Sequence, residues 1–445
     1  QRNDIVTRFS PTWVLNSPTE EQGLGNTSYI YYNLIFLPKK LYSSGFFSIF
    51  AENYQKRMKQ QEQFTKWVSC WGNATSITDR REAVYAKNIT LRYPIHMVFS
   101  GNRLRFRFSN LTGTEPVTIS KAYVAYNLEG KTRRHTPICF GNKTSTVLAP
   151  GKEKESDETE FEVEAGDTVT VSFYLEGYTQ MNAGTLVTGP LSKGQYSYGD
   201  YACADTLPLD LTRHTQWVYF LNTIDILTEE KNHAVVCFGD SITAQSWPDW
   251  LTLQTEKAGI TDTAIIRRAV SGTRILRQYD CITYQAYGLK GSTRFPIEMN
   301  VSGATDVILQ HGINDIIHPV GIEVNPFRPW SDMPTLEDME TGVEKIYVKH
   351  ARSLGLKVWS GTLLPILGWR TYNEKRDRLR EQFNDWLRTS PLFDGCADFD
   401  LTVRDSEDPR AFAPGYDSGD HLHPSEQAYQ AMARCALETV IKTKL

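Results

Sequence analysis

The sequence has few cysteines, no long apolar run and no excess of positive charge. Its seven cysteines are scattered, odd in number and without a Cys-x-x-Cys pair, in a chain of 445 residues that is too large to depend on disulfide bonds, so we expect reduced thiols. The longest apolar stretches fall far short of the ~20 residues that span a bilayer, which predicts no transmembrane helix. Lys and Arg number 48 against 52 Asp and Glu, so we expect no nucleic-acid partner.

Motifs for cofactors and for export are also missing. The sequence contains no glycine-rich phosphate loop and no Gly-x-Ser-x-Gly elbow, and its histidines lack the His-x-x-x-His spacing, so we predict neither a cofactor nor a metal. The numbered chain starts at Gln1 without a charged and apolar leader, which predicts a cytoplasmic location unless a signal peptide preceded it. With 40% hydrophobic and 22% charged residues, the chain is expected to be globular.

Residues from about 89 to 175 alternate apolar and polar side chains, as strands with one buried face do. The clearest run alternates Leu104, Phe106 and Phe108 with arginines. The stretch 161–173, with a turn at 165–167, predicts a β-hairpin. Short strands at this density predict a β-sandwich over residues 67–210, preceded by an N-terminal arm of unknown role at residues 1–66.

After residue 210 the pattern changes to continuous apolar strands that alternate with amphipathic helices. The predicted strands are His233 to Phe238, Ala264 to Val270, Asp306 to Leu309, Val358 to Leu364 and Ala397 to Phe399. The predicted helices are Trp247 to Lys257, Leu336 to Leu354, Asn373 to Thr389 and Pro424 to Ile441. Strand and helix in alternation predict a parallel sheet with helices on both faces, so we assign residues 211–445 to an α/β domain.

Four polar segments follow these strands or precede the last helix, near the edge where open α/β sheets bind ligands. They are Gly239-Asp240-Ser241, Ser271-Gly272, Gly312-Ile313-Asn314-Asp315 and Asp420-His421-Leu422-His423. Each segment alone also fits a plain turn, and Gly-Asp-Ser is an ordinary N-cap pattern. Pro424 is predicted at the first helical position, which places Asp420 and His423 on the preceding turn. That spacing can bring a carboxylate beside an imidazole and fix its tautomer.

The order of these segments, G-D-S, a glycine, G-x-N-D and D-x-x-H, resembles the SGNH (GDSL-type) serine hydrolase superfamily. The resemblance implies a three-layer α/β/α flavodoxin-like domain with a parallel sheet. It implies Ser241 as the nucleophile, with Asp420 and His423 completing a Ser-His-Asp triad. It also implies an oxyanion hole formed by the backbone of Ser241 and Gly272 and by the side chain of Asn314.

From Trp67 onward the sequence is similar to bacterial SGNH hydrolases with an N-terminal β-sandwich, which predicts a jelly-roll-like first domain. Such enzymes often resemble carbohydrate esterases. The resemblance therefore implies a serine esterase that removes short acyl groups, O-acetyl above all, from a small-molecule or oligosaccharide ester through an acyl-enzyme. One departure is Arg267-Arg268, because many members have Asn at the start of the second segment, and this bears on the local shape near Gly272.

Loops after the strands are expected to form the pocket walls, at about 278–297, 317–334 and 364–372. We predict substrate contacts from four side chains, namely Asp240, His311, Trp330 and Trp369. Further aromatic residues on these loops could stack on sugar rings or pack in the core, namely Tyr279, Tyr284, Phe327 and Tyr372.

Several alternatives stay open at this point. His421 competes with His423 for the role of base. A lysophospholipase or other lipid-type esterase, or an acyltransferase, would use the same catalytic residues. A glycan-binding protein with an inactive hydrolase domain is the non-enzymatic alternative, although no member of the implied triad is missing.

Overall fold

A computed structural model describes residues 63–76, 84–278 and 288–444. The chain divides into two compact units, residues 1–59 and 60–445, and every described residue belongs to the second. The predicted N-terminal arm lies outside the described residues except for residues 63–66. Within the described ranges, no helix has the length and apolar character needed to cross a membrane.

Antiparallel strands build the first part of the described chain. They are β1 (Lys66–Gly72), β2 (Tyr85–Ala86), β3 (Ile89–His96), β4 (Gly101–Ser109), β5 (Val117–Ile119), β6 (Lys121–Leu128), β7 (Lys131–Pro137), β8 (Thr146–Leu148), β9 (Glu153–Glu155), β10 (Thr159–Val163), β11 (Thr168–Leu175), β12 (Thr179–Gln180), β13 (Gly184–Leu186), β14 (Gly194–Tyr198), β15 (Thr212–Thr215), β16 (Trp217–Tyr219) and β17 (Leu221–Thr228). One sheet has the order β1-β17-β4-β10 with β9 also on β4, and the other has the order β15-β14-β3-β11-β6-β7. The two sheets form the predicted β-sandwich.

Alternating side chains fill the space between the two sheets. Leu104, Phe106 and Phe108 of β4 are fully buried, as their alternation with arginines predicts. Phe108 meets Phe173 of β11 edge to face, with ring centroids 5.4 Å apart. Because β4 and β11 belong to different sheets, this aromatic contact joins the two layers.

Two sequence predictions about the sandwich are wrong. The stretch 161–173 is not a hairpin, because β10 pairs with β4 in one sheet while β11 pairs with β3 and β6 in the other. The chain crosses between layers there. The predicted boundary at residue 210 is too early, since β15 and β17 hydrogen-bond to sandwich strands. The sandwich therefore extends to Thr228.

The second part is a parallel sheet with helices. Its strands are β18 (His233–Gly239), β19 (Thr263–Ala269), β20 (Ala304–Gln310), β21 (Lys357–Gly361) and β22 (Gly395–Ala397). Its α-helices are α1 (Ser241–Ala244), α2 (Trp247–Lys257), α3 (Gly291–Glu298), α4 (Ile313–Ile317), α5 (Leu336–Gly342), α6 (Lys349–Ser353), α7 (Glu374–Thr389), α8 (Phe399–Val403) and α9 (Glu426–Ala436). The segments Val343–Val348 and Leu437–Ile441 are π-helical, and Trp330–Asp332 and Lys442–Lys444 are 3₁₀ turns.

The parallel sheet has the order β19-β18-β20-β21-β22, which is the flavodoxin-like order with its switch point between β18 and β20. Helices α2, α8 and α9 pack together on one face, and α4, α5 and α7 pack on the other. The fold is therefore the three-layer α/β/α domain that the resemblance implies. In register, Gly239 pairs with Ala269 and with Gln310, so three strands end at the same level.

Candidate active site

The turn after β18 presents Ser241 at the carboxyl edge of the sheet. Asp240 is the N-cap of α1, since the backbone N–H of Ile242 donates to its Oδ1 at 3.1 Å. Ser241 is the first helical residue and is partly exposed. Gly239 allows this tight turn, because a Cβ there would collide with the carbonyl of Gln310 and with Thr243 Oγ1.

The turn before α9 holds Asp420 and His423 side by side. Oδ1 of Asp420 accepts the backbone N–H groups of His423 at 2.8 Å and of Leu422 at 3.0 Å. Two backbone donors therefore fix the carboxylate of Asp420, which leaves its Oδ2 directed at the ring of His423.

The predicted position of Pro424 is wrong, because Ser425 is the N-cap of α9 and the proline precedes the helix.

The side chains of Ser241, His423 and Asp420 form one hydrogen-bonded chain. Ser241 Oγ lies 2.8 Å from His423 Nε2, and His423 Nδ1 lies 2.7 Å from Asp420 Oδ2. Partial burial alone would raise the pKa of Asp420, but the hydrogen bonds and the positive charge that His423 supplies hold this pKa well below its usual range. Asp420 therefore stays ionised at neutral pH and can stabilise a protonated imidazole.

The structure also places Gly272 and Asn314 at this edge of the sheet. Gly272 follows β19 with φ +75°, a backbone conformation that glycine adopts without strain. The side-chain amide of Asn314, on α4, donates from Nδ2 to the carbonyl of Thr273 at 3.0 Å. Because an amide nitrogen carries two hydrogens, one remains for a ligand.

Asp315 is a site residue whose role the sequence did not reveal. Its two carboxylate oxygens accept the backbone N–H groups of Ile275 at 2.8 Å and of Leu276 at 3.1 Å. Burial raises its pKa to about 6, despite these hydrogen bonds. This carboxyl ties the loop that carries Gly272 to the helix that carries Asn314. The only sequence signal was its place after Asn314 in the third segment.

A second unforeseen residue is Arg294, which lies in a stretch predicted as pocket loop and found as helix α3. It is fully buried and donates to the carbonyls of Gly239 at 2.8 Å and Arg268 at 3.1 Å. Its guanidinium carbon also lies 4.2 Å from the ring centroid of Phe238, and Glu298 balances its charge at 3.3 Å. Arg294 thus joins the ends of β18 and β19 below Ser241.

Arg267 and Arg268, the two arginines before the second segment, contact different parts of the structure. Arg267 pairs with Asp249, and Arg268 is buried at the junction with the sandwich. Arg268 donates to Thr223 Oγ1 at 2.6 Å, to the carbonyls of Asn222 and Glu298 at 3.1 Å, and to the carbonyl of Asn73. These arginines therefore brace β19 from outside and leave the turn at Gly272 intact.

His311 and Asp240, both predicted to contact substrate, are buried behind the site. Burial, with the nearby charge of Arg294, lowers the pKa of His311 to about 3. Its Nδ1 lies 2.8 Å from Tyr347 Oη, and its Nε2 lies 3.0 Å from the carbonyl of Thr273. Burial also raises the pKa of Asp240 to about 7. Both side chains are buried and support the turns, and their contact with substrate stays a prediction.

The predicted aromatic contacts lie on loops at the same edge. Trp330 is 51% exposed, and its Nε1 donates to Glu323 Oε1 at 3.0 Å. Trp369 is half-buried under the guanidinium of Arg370, 4.6 Å from its ring centroid. Of the further aromatic candidates, Phe327 is exposed and Tyr372 is half-buried, whereas Tyr279 and Tyr284 lie outside the described residues.

The structure separates the two candidate bases. His423 faces Ser241, whereas His421 has its Nδ1 2.6 Å from Asp417 Oδ2. His423 is therefore the histidine placed to take a proton from Ser241. Within the described ranges, no group of three or more His, Cys, Asp or Glu side chains is arranged to hold a metal ion.

Residues 237–431 match the family model described as the GDSL-like Lipase/Acylhydrolase family. No curated protein matches the chain. An acetylxylan esterase from Geobacillus stearothermophilus is 14% identical over 46% of this chain and 93% of its own, with a TM-score of 0.34. A carbohydrate acetylesterase from Xanthomonas citri is 9% identical over 74% and 72%, with a TM-score of 0.32. At these identities and TM-scores the structural neighbours carry no weight in assigning a substrate.

Proposed function

We propose that the protein is a serine esterase that removes O-acetyl groups from carbohydrates, since residues 237–431 match the GDSL-like Lipase/Acylhydrolase family model. The observation that carries the esterase part is the hydrogen-bonded chain from Ser241 Oγ through His423 to Asp420, with distances of 2.8 and 2.7 Å. A nucleophile, a base within hydrogen-bond reach and an acid that orients the base are the requirements of acyl transfer through serine.

In the first half of the reaction, His423 Nε2 takes the proton of Ser241 as Oγ attacks the ester carbonyl. The backbone N–H groups of Ser241 and Gly272 and the free amide hydrogen of Asn314 stabilise the oxyanion. His423 then gives the proton to the leaving alcohol, and Asp420 stabilises the imidazolium in between. Water enters in the second half, is deprotonated by His423 and releases the acid from the acyl-enzyme.

The carbohydrate part of the proposal is supported by the open, aromatic surroundings of the site. The side chains of His423 and Asp420 are 22% and 44% exposed, so a bulky substrate can reach them. Trp330 and Phe327 are exposed on one loop at the carboxyl edge, and Trp369 lies on the next. Exposed aromatic faces of this kind suit the apolar faces of sugar rings.

The test compares wild type with Ser241→Ala on 4-nitrophenyl esters of rising chain length and on acetylated xylo- and manno-oligosaccharides. We expect Ser241-dependent acetate release from the sugars and activity that falls steeply with acyl length. Activity that rises with chain length would replace the carbohydrate assignment by a lipid-type esterase. If wild type shows no Ser241-dependent hydrolysis and no covalent labelling by a fluorophosphonate, the esterase proposal is wrong.

A further inference from the structure

A second histidine–aspartate pair lies on the same turn as the proposed base. His421 is one residue from Asp420 and two from His423, and its side chain is 52% exposed. Its backbone is left-handed, with φ +63°, which is uncommon for a residue other than glycine. Strained backbone of this kind persists only where the surrounding contacts hold it.

Two neighbours fix the position of this imidazole. Oδ2 of Asp417 lies 2.6 Å from His421 Nδ1, while Oδ1 of Asp417 accepts the backbone N–H of His421 at 3.0 Å. On the other side, the ring lies against Gly368, where an added Cβ would come within 2.7 Å of His421 Cγ. Gly368 belongs to the loop after β21, so the ring lies between that loop and the turn of the base.

The orientation of the ring decides which nitrogen can meet a ligand. With the Nδ1 proton directed at the Asp417 carboxylate, the neutral ring offers Nε2 as a hydrogen-bond acceptor. The described residues provide no hydrogen-bond partner for this Nε2. An oriented, half-exposed acceptor therefore remains beside the site.

The reaction chemistry determines which part of a substrate would lie there. The leaving oxygen must come within hydrogen-bond distance of His423 Nε2, because that nitrogen protonates it. Groups around His423 consequently contact the alcohol part of the ester, whereas the oxyanion donors on α1, α4 and the Gly272 loop surround the carbonyl. His421 is on the same short turn as His423, on the side of the loop that carries Trp369.

We propose that His421 determines specificity for the alcohol part of the ester, by accepting a hydrogen bond at Nε2 from a hydroxyl group adjacent to the ester oxygen. The ligand class is a polyhydroxylated alcohol such as a sugar. This inference rests on the proposed esterase function and deepens it. It makes His421 a specificity residue that acts before the alcohol leaves and has no part in hydrolysis of the acyl-enzyme.

The experiment uses His421→Asn, because asparagine tolerates left-handed backbone and is too short to replace the imidazole. A matched control is Arg134→Asn, an exposed left-handed residue of the sandwich with φ +54°. Gly368→Ala is a second test variant, which keeps His421 but crowds its ring; it also strains the backbone, because Gly368 has φ +94°. Thermal unfolding of each variant is measured before the kinetics, and the substrates are ethyl acetate, glycerol monoacetate and acetylated xylo-oligosaccharides.

We expect His421→Asn and Gly368→Ala to lower kcat/KM about tenfold on glycerol monoacetate and the acetylated sugars, the effect of losing one hydrogen bond. On ethyl acetate, whose alcohol part carries no hydroxyl beside the ester oxygen, the change in kcat/KM should stay below twofold. The rate of acyl-enzyme hydrolysis and the ratio of 4-nitrophenyl acetate to butyrate activity should not change. Arg134→Asn should match wild type throughout.

Two results would overturn the inference. Equal losses on ethyl acetate and glycerol monoacetate, with slower acyl-enzyme hydrolysis, would show that His421 only supports the catalytic turn. No loss on any substrate would show that it has no role. If wild type releases no acetate from sugars, the carbohydrate assignment fails, but the comparison of the ethyl and glyceryl esters still decides the role of His421.

Discussion

Replacing Asp420 by asparagine should nearly abolish turnover for a reason that the geometry specifies. Oδ1 of Asp420 accepts two backbone N–H groups, from Leu422 and His423, at 3.0 and 2.8 Å. In Asp420→Asn the amide oxygen must keep that position, because an NH₂ group cannot accept those hydrogen bonds. The amide nitrogen then faces His423 Nδ1, where the carboxylate oxygen lies at 2.7 Å in the native protein.

A donor at that place reverses the tautomer of the imidazole. Nδ1 must accept, so the ring proton moves to Nε2, which then faces Ser241 Oγ and cannot take its proton. The negative charge that stabilises the imidazolium is lost as well. We expect kcat/KM to fall about ten-thousandfold at neutral pH, equivalent to about 5 kcal/mol of transition-state stabilisation.

The assay is hydrolysis of 4-nitrophenyl acetate at pH 7, with thermal unfolding measured in parallel. Asp405→Asn is the matched control, because Oδ1 of Asp405 also accepts two backbone N–H groups, from Glu407 and Asp408, but lies outside the site. The control should retain wild-type activity. If folded Asp420→Asn stays within tenfold of wild type, the proposed role of Asp420 is wrong.

Three further variants test other parts of the site. Asn314→Ala should lower kcat about a hundred- to a thousandfold in a folded protein, through loss of one oxyanion donor, and near-normal turnover would contradict that role. Asp240→Asn should raise the melting temperature at pH 8 and not at pH 4. Burial raises the pKa of Asp240 from 3.8 to about 7 in the folded protein, so ionisation of this carboxyl as pH rises lowers the free energy of unfolding by about 4 kcal/mol. Arg268→Met should reduce the free energy of unfolding by about 1–3 kcal/mol, because it removes a buried charged donor whose hydrogen bonds reach acceptors in both domains, and an unchanged denaturation midpoint would refute this.

Local sequence patterns were sufficient to predict strands and helices of the parallel-sheet domain. The run from His233 to Phe238 is found as β18, and the predicted helix Trp247–Lys257 has the same bounds in the structure. These elements could be predicted because a strand buried on both faces must be apolar throughout, and a helix that covers it must be apolar on one side. The place of Ser241 between a buried strand and a helix could be predicted in the same way, whereas its role as the nucleophile was implied only by the resemblance to the SGNH superfamily.

Pairing between distant segments could not be predicted in this way. The stretch 161–173 has the sequence of a hairpin, yet β10 and β11 join different sheets, because their partners β3, β4 and β6 lie far away in the chain. The late strand β17 belongs to the sandwich for the same reason. Two strands can form the same backbone hydrogen bonds whatever their separation in the sequence, so only the assembled sheets show which strands pair.

The kind and order of the chemical groups at the site are therefore properties of the sequence, whereas their burial and orientation depend on tertiary packing. Asp240 and His311 look like substrate ligands in the sequence, but neighbouring strands bury them and raise or lower their pKa. His421 and His423 cannot be ranked by residue type. They differ because Asp420 directs the His423 ring at Ser241, whereas Asp417 and Gly368 hold the His421 ring away from it. Such contacts exist only once distant segments of the chain have come together.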